Sequence, residues 1–337
     1  MVSATPSPAA PAGLNRIVGQ SEVVDRLGRA MRFDRLHHAY LFTGPVGVGK
    51  ATTAVALAEA LQCRVAPGVG CDVCPDCSRL LRDLHPDVIR VATDEKSVKI
   101  EHVRALEQRL VQGPLEGRAL VAIVDDADRL TTGAANALLK GLEEPRERVH
   151  FLLVTAAPRR LPITVRSRCQ AVRFAPLAEA DLVELLGRQG IAPAEASVVA
   201  RISEGSAARA LSLVAEADLP RWQAWAERFA TASATPTADV PALTKELTDE
   251  LADPGPMLEL LVLRLRDHLL LASGTDGQGQ RLLAVPARGA EADLARRLGP
   301  RSINRKLRSV QNALRDLEYY VNKQLALEHL VEGLMRP

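Results

Sequence analysis

Five short apolar runs recur in the first half of the chain, and helix-like segments separate them. None of these runs alternates with polar residues, which is typical of strands that are covered on both faces of a sheet. We therefore predict an α/β fold with a doubly wound, mainly parallel sheet, in which ligands bind at the carboxyl ends of the strands. The predicted strands are residues 39–42, 88–91, 119–124, 151–155 and 171–174.

The pattern changes after residue 176, where helical periods replace the apolar runs. Short periods at 177–187 and 192–203 predict a small helical domain. Longer periods at 257–271 and 303–334 predict a helical packing or assembly domain, whose apolar stripes form its core and its subunit interfaces. The predicted domain bounds are 1–176, 177–217 and 218–337, with a Thr/Ala/Pro linker at 231–241 and a Gly-rich loop at 274–279.

A glycine-rich segment follows the first predicted strand, and we call residues 44–50 the glycine loop. Gly44, Gly47, Gly49 and Lys50 have the spacing of a phosphate-binding loop, and the Ala- and Leu-rich stretch 51–61 after them predicts a helix. In such loops backbone N–H groups and the helix dipole face a polyphosphate, and the lysine reaches its outer phosphates. The segment therefore predicts a nucleotide site.

The residue after the lysine is Ala51, where such loops usually have a Ser or Thr whose hydroxyl holds Mg²⁺. A methyl group cannot do this, and Thr52 lies about 100° further round the helix. Positioning of magnesium supplies much of the rate of phosphoryl transfer. We therefore expect ATP and Mg²⁺ to bind weakly or not at all.

Acidic residues follow the predicted strand 119–124. Asp125 could reach magnesium directly or through water. Hydrolytic phosphate-loop proteins have a Glu at the position of Asp126, and that Glu polarises the attacking water. The side chain of Asp126 is shorter and would end about 1 Å short of that water. Thr155 ends the next predicted strand, so the loop, the carboxylates and this threonine are predicted to meet at one edge of the sheet.

Four of the five cysteines lie close together, and we call residues 63–77 the cysteine module. Cys63, Cys71, Cys74 and Cys77 have a spacing that suits a tetrahedral zinc site made of four thiolates. Because the protein fills all four positions, we expect the zinc to be structural. The alternative is a set of free or oxidised thiols, although cytosolic chains rarely cluster cysteines without a metal.

Charge and hydropathy bear on whether the chain binds DNA, spans a membrane or is secreted. The 43 basic and 41 acidic residues leave a net charge of +2, which gives no general electrostatic case for DNA binding by the chain alone. No apolar stretch approaches the roughly 20 residues that span a bilayer, and residues 1–11 lack a signal-peptide pattern. We expect a cytoplasmic protein with a loose N-terminal tail and no membrane partner.

One arginine has a position of interest. Arg168 lies with short neighbours in segment 162–169, which follows the fourth predicted strand. An arginine on such a loop can cross a subunit boundary and neutralise the γ-phosphate of another chain. The pattern alone favours an ordinary surface arginine.

Several further motifs lie between about residues 14 and 215. They are HHAYLFTGP at 37–45, the four clustered cysteines, LHPD at 84–87, ANALLKGLEEP at 135–145 and RSRC at 166–169. Together they resemble the clamp-loader AAA+ family of bacterial DNA polymerase III, in which the delta-prime branch is the most similar and the gamma/tau ATPase branch is its nearest relative. The resemblance implies an AAA+ core, a small helical lid and a helical collar that joins five subunits in a ring.

The resemblance also implies roles for single residues. Arg168 would be an arginine finger offered in trans to the ATP of a neighbouring gamma/tau subunit. Thr155 would be the first sensor, and Arg209 in segment 205–211 would be a second sensor that contacts nucleotide. Residues 18–20 resemble the segment that flanks the adenine.

The partners implied are gamma/tau and delta subunits in a hetero-pentameric ring, the sliding clamp, and primed DNA reached through the assembly. The chain departs from the family pattern at Ala51 and Asp126, both in the hydrolysis machinery. We therefore expect a subunit that hydrolyses ATP weakly or not at all. One alternative is an active gamma/tau-type ATPase in which Thr52 or a water replaces the missing hydroxyl. Another is a zinc-dependent nucleic-acid-binding module with a vestigial loop.

Overall fold

The computed structural model describes residues 12–91, 97–216, 218–232, 239–273, 288–318 and 322–335. The chain divides into two compact units. Unit 1 comprises the described residues of Met1–Gln189 and Glu204–Ala208, and unit 2 those of Gly190–Ser203 and Arg209–Pro337. The N-terminal tail, the Gly-rich loop and most of the predicted linker at 231–241 lie outside the described residues. The three domain bounds drawn from the sequence stay predictions.

Unit 1 is built on a five-stranded sheet in the order β2-β3-β4-β1-β5, and each neighbouring pair is parallel. This confirms the predicted parallel α/β fold. Because all strands run the same way, the ends of β1, β3 and β4 share one edge, where Thr43 pairs with Thr155 and Val124 with Leu153. The strands are β1 (Ala39–Thr43), β2 (Val88–Val91), β3 (Leu120–Val124), β4 (Val149–Thr155) and β5 (Gln170–Arg173).

Both faces of this sheet are buried, and alternate residues of each strand enter different cores. In β1, Leu41 packs into the core that α4 and α5 cover, whereas Tyr40 and Phe42 pack into the core that α1 and α2 cover. Double burial is why the strands have no polar alternation. The helices of unit 1 are α1 (Ser21–Arg32), α2 (Lys50–Gln62), α3 (Pro75–Leu81), α4 (Ile100–Gln112), α5 (Thr132–Glu143), α6 (Ile163–Arg166) and α7 (Glu179–Arg188).

In its described residues unit 2 is helical. The helical period at 303–334 belongs to two helices, since α13 ends at Glu318 and α14 begins at Lys323, and Gly299 with φ 73° interrupts α13 ahead of that period. No helix in the described part of the chain is long and apolar enough to span a bilayer. The helices are α8 (Pro193–Ile202), α9 (Ala207–Glu216, in unit 2 from Arg209), α10 (Leu219–Thr231), α11 (Val240–Glu250), α12 (Gly255–Ala272), α13 (Arg288–Glu318) and α14 (Lys323–Met335).

A buried lysine links two helices of unit 2. Lys306 of α13 donates hydrogen bonds to the carbonyl oxygens of Phe229 (3.1 Å), Ala230 (3.3 Å) and Ala232 (2.6 Å), at the end of α10. The last carbonyls of a helix have no partner within it, so the ammonium satisfies groups that would otherwise stay unpaired. Burial, together with the nearby Arg305, lowers the pKa of Lys306 to about 8.

Candidate functional site

The glycine loop joins β1 to α2 at the carboxyl edge of the sheet. Gly47 and Gly49 have positive φ angles of 79° and 93°, which residues with a Cβ rarely adopt. Gly49 is the N-cap of α2, so the loop leads directly into the helix, as a phosphate-binding loop does. The backbone conformation predicted from the glycine spacing is therefore present.

Lys50 is almost completely buried, and its ammonium is held by its own loop. Lys50 Nζ donates to the carbonyl oxygens of Gly44 (2.8 Å) and Pro45 (2.5 Å). Burial lowers the pKa of Lys50, while the charges of Asp126 and Asp128 oppose that shift. The lysine is thus bonded within the loop and lies in the field of the acidic residues that follow β3.

A second segment of unit 1 covers the loop. Ala208 N–H donates to Gly47 O at 3.2 Å, and a Cβ placed on Gly47 would lie 2.0 Å from Ser206 Oγ. From the other side, Gln20 Nε2 donates to the carbonyl oxygens of Val48 (3.2 Å) and Ala175 (2.8 Å). Segment 18–20 and the first residues of segment 205–211, both singled out from the sequence, therefore pack on the loop.

The two candidate carboxylates are engaged elsewhere. Asp125 Oδ2 accepts a hydrogen bond from Arg90 Nη2 at 2.9 Å, and Arg90 also pairs with Asp83. Asp125 Oδ1 is buried and has no hydrogen-bond partner among the described residues. Asp126 has φ 45°, is exposed and pairs with Arg129 at 3.1 Å.

Asp128 is a site residue that the sequence reasoning did not select. Thr155, which is fully buried, donates from Oγ1 to Asp128 Oδ1 at 2.5 Å and accepts from Ala157 N–H at 3.0 Å. Its signal in the sequence was membership of the acidic run at 125–128. Asp128 therefore connects the predicted sensor threonine to the strand end beside Lys50.

Magnesium does not fit the residues at this edge. Ala51 offers no oxygen, Thr52 is exposed, and the hydroxyl of Thr53 donates to Gly49 O at 2.8 Å. Asp125 already has a cationic partner in Arg90. Magnesium needs several hard oxygen ligands at about 2.1 Å in near-octahedral geometry, and this set does not supply them.

Arg168 lies apart from these groups, between α6 and β5. Its Nη1 donates to Thr164 O at 2.9 Å, and its Nη2 pairs with Glu143 at 2.6 Å, at the end of α5. Both partners of this ion pair are partly exposed, at 36% and 47%. Exposed ion pairs contribute only about 0 to 1 kcal/mol, so the guanidinium can exchange partners readily.

The other candidate nucleotide contact, Arg209, belongs to unit 2, where it pairs with Glu259 of α12. Its proposed contact with nucleotide stays a prediction.

The cysteine module brings its four thiols together. The four Sγ atoms lie within 4.8 Å of one another, and those of Cys63 and Cys74 are 3.9 Å apart. Zinc–sulfur bonds of about 2.3 Å in a tetrahedron separate the sulfurs by about 3.8 Å, so this set fits a zinc ion. Such a site has no open position and would be structural.

Backbone donors surround the same sulfurs. Ala66 N–H donates to Cys63 Sγ at 3.1 Å, and Cys74 N–H donates to Cys71 Sγ at 3.4 Å. Backbone hydrogen bonds lower the pKa of Cys71 to about 7, whereas burial raises the pKa values of Cys63 and Cys77. Donors of this kind stabilise the thiolate form that binds metal.

Comparison with known proteins finds relatives of similar sequence. A family model described as DNA polymerase III, delta subunit matches residues 19–178. The delta' subunit of DNA polymerase III from Bacillus subtilis is 36% identical over 188 residues, which cover 56% of this chain and 57% of that protein. Over the matched residues the chain is similar to clamp-loader subunits of DNA polymerase III, as the motifs predict.

Other relatives in the clamp-loader family carry gamma or tau names. The tau subunit from Escherichia coli is also 36% identical, over 208 residues that cover 60% of this chain and 32% of that protein. The chain thus spans about a third of the length of the tau subunit and a little over half of the length of the delta' subunit. Among solved structures, a gamma subunit-related protein from Thermotoga maritima aligns with 92% of this chain and 99% of its own, at 18% identity and a TM-score of 0.45.

Proposed function

We propose that this chain is a delta-prime-like subunit of the DNA polymerase III clamp loader. It hydrolyses ATP weakly or not at all, and it supplies Arg168 as an arginine finger to the ATP site of a neighbouring gamma/tau subunit. The observation that carries the proposal is the state of the metal ligands, since the hydroxyl is missing at Ala51 and Asp125 is paired with Arg90, in a chain that has a partly exposed arginine at position 168.

The finger role depends on how Arg168 is held. Its carboxylate partner, Glu143, lies on the surface, and the second bond goes to Thr164 O within the same short segment. A guanidinium in this setting is charged at any working pH and presents several donors in a planar fork. It can leave one weak partner for the phosphate oxygens of another chain, whose negative charge is larger.

The proposal extends to partners and cofactors. Gamma/tau and delta subunits would complete a five-membered ring through the C-terminal helices, and the assembly would act on the sliding clamp at primed DNA. A structural zinc ion would occupy the four thiolates of the cysteine module. ATP would bind the glycine loop of this chain weakly or not at all.

The test is single-turnover ATP hydrolysis by the complex assembled with gamma/tau, delta, clamp and primed DNA. With Arg168→Ala we expect the amplitude of one fast-hydrolysing site to disappear, because an arginine finger accelerates transfer by about 10³ or more. Arg168→Lys should restore only part of the rate, since a lysine cannot donate as a fork. An unchanged fast amplitude in the Arg168→Ala complex contradicts the finger role.

A matched control is Arg160→Ala. Arg160 is an exposed arginine on the turn Pro158–Arg160, which precedes α6. It should leave the fast amplitude unchanged, which separates loss of one particular guanidinium from a general loss of positive charge.

A second candidate is an active gamma/tau-type ATPase, which the 36% identity to the tau subunit and the intact lysine loop favour. It requires magnesium-dependent ATP turnover by the isolated chain that Lys50→Ala abolishes. We expect no such turnover.

A further inference from the structure

The guanidinium of Arg90 lies beside the carboxylate of Asp125, the residue that follows β3. Arg90, on β2, donates from Nη2 to Asp125 Oδ2 at 2.9 Å and from Nη1 to both oxygens of Asp83, at 3.1 and 3.2 Å. Because β2 is the parallel neighbour of β3, Arg90 and the residue after β3 are brought side by side. Two carboxylates thus bind the guanidinium, and Asp125 is the less exposed of the two, at 18% against 61% for Asp83.

Among the described residues the Asp125 side chain has no other hydrogen-bond partner. Asp125 Oδ1 is buried and accepts no hydrogen bond among the described residues, so the guanidinium is the charge that neutralises Asp125. A half-buried carboxylate requires a positive group nearby, because removing charge from water is costly. In phosphate-loop proteins that use magnesium, an acidic residue at the end of such a strand faces the metal directly or through water.

We propose that Arg90 is a built-in cation that takes the place of magnesium at Asp125, so that any nucleotide bound by the glycine loop binds without a metal requirement. The inference rests on the proposed function, because it explains how a non-hydrolysing subunit keeps an intact phosphate loop. A dication at Asp125 would face the guanidinium at short range, and the two positive charges would repel.

The hydrogen bond to Asp125 raises the pKa of Arg90, with Asp83 acting in the same direction. The guanidinium therefore stays charged at any working pH. Arg90 and Ala51 affect two different ligands of a magnesium site. Arg90 occupies the carboxylate of Asp125, and Ala51 has no hydroxyl to offer. A metal site can therefore be restored only if both residues are changed.

The test compares four forms of the isolated full chain: the unchanged chain, Arg90→Gln, Ala51→Thr and the double substitution. The probe is a fluorescent ADP, and its Kd is measured in metal-stripped buffer with and without millimolar Mg²⁺. Chelators are left out because they would also remove zinc from the cysteine module. The quantity compared is the ratio of the two Kd values, which a purely structural role for Arg90 would not move.

We expect a ratio near one for the unchanged chain, at most a few-fold for either single substitution, and about tenfold or more for the double. A tenfold effect of Mg²⁺ on the Kd for ADP lies within the usual range by which one bound ligand changes the affinity for another. Arg90→Lys combined with Ala51→Thr keeps the positive charge and should hold the ratio near that of Ala51→Thr alone. Arg129→Gln, which removes the arginine beside Asp126, is the matched control and should leave the ratio unchanged.

Thermal melting establishes that each form is folded, and Arg90→Met replaces Arg90→Gln if the latter unfolds. Binding of Mn²⁺, followed by loss of its free-ion EPR signal with ADP present, gives a second readout. A folded double variant that shows no metal effect, or no more than Ala51→Thr alone, overturns the inference. Because this test uses the isolated chain and the Arg168 test uses the assembly, either can fail without the other.

Discussion

The cysteine module and the glycine loop are both built on unit 1, and both have the form of a site for an inorganic group, but they differ in completeness. The module has four thiols within 4.8 Å of one another, with backbone donors to the sulfurs. The loop keeps its glycines and Lys50, yet its metal ligands are missing at Ala51 and engaged at Asp125. A backbone scaffold can thus be complete where the side chains that would bind a metal are not.

Packing gives two glycines of the loop a structural role. A Cβ on Gly44 would lie 2.4 Å from Phe174 O, and one on Gly47 would lie 2.0 Å from Ser206 Oγ. Lys50 meanwhile satisfies two carbonyls of the loop. Each of these residues has a structural task whether or not nucleotide binds, so the loop motif by itself is not evidence of ATP turnover.

The largest effect is expected from breaking the complete site. Cys77→Ser removes one of four thiolates, and we expect bound zinc to fall from one ion per chain to none, because an incomplete set holds the metal weakly. Zinc binding contributes about 10 kcal/mol in isolated zinc-finger peptides, so the variant should show the largest loss of unfolding free energy of those considered. Metal analysis of the purified chain and thermal melting measure both.

The control for that experiment is Cys169→Ser. Burial raises the pKa of Cys169 to about 12, and this thiol lies outside the module, so zinc content should stay unchanged. Retention of zinc by the Cys77→Ser chain would remove the contrast between the two sites.

The next largest effect is expected on the unfolding free energy, from a buried carboxylate of unit 1. Asp87, which precedes β2, is fully buried and accepts hydrogen bonds from the N–H groups of Leu115, Glu116 and Gly117 and from Arg109 at 2.6 Å. Asp87→Asn should lower the unfolding free energy by about 4 kcal/mol, because it breaks a buried charge pair. Urea unfolding measures this, with Asp25→Asn, on the exposed face of α1, as the control.

The same variant has a definite pH dependence. Burial raises the pKa of Asp87, but the three backbone donors and Arg109 outweigh it and hold the pKa below its usual value. A lowered carboxyl pKa contributes stability above its unfolded value of about 3.9, and this is lost as the pH falls through the folded value. The difference in unfolding free energy between the unchanged chain and Asp87→Asn should therefore shrink below about pH 4. A difference that stays constant down to acid pH would contradict the role given to Asp87.

The smallest effect sharpens the description of the glycine loop. Gly47→Ala combines a left-handed backbone with overlap against Ser206 and should cost about 2 kcal/mol. Gly49→Ala meets no atom within 4 Å of its Cβ and should cost only about 1 kcal/mol from backbone strain. If Ser206 covers the loop, Ser206→Ala should recover part of the Gly47→Ala loss and none of the Gly49→Ala loss. Equal losses for the two alanine variants would show that the cover is absent.

Much of unit 1 could be predicted from local pattern. The apolar runs located all five strands to within two residues, because each strand is buried on both faces. The cysteine module could also be predicted, since its ligands are close in sequence and short loops join them.

The side-chain pairs on which the two proposals rest could not be predicted, because they join distant segments. The contact of Arg90 with Asp125 requires β2 to lie beside β3, and that of Glu143 with Arg168 requires the end of α5 to lie beside α6. Hydrophobic periodicity contains no information on strand order or on which polar side chains meet. Asp128 was overlooked for the same reason, since only its bond to Thr155 distinguishes it from its acidic neighbours.

The ammonium of Lys306 sets the axial register of a long helix. Three carbonyls at the end of α10 converge on one nitrogen, so α13 has a single position along its axis at which they are satisfied. A slide of one turn, about 5.4 Å, would bring Ser302 or Val310 to that point, and neither side chain can reach three acceptors. A single side chain thereby opposes any sliding of α13 along α10.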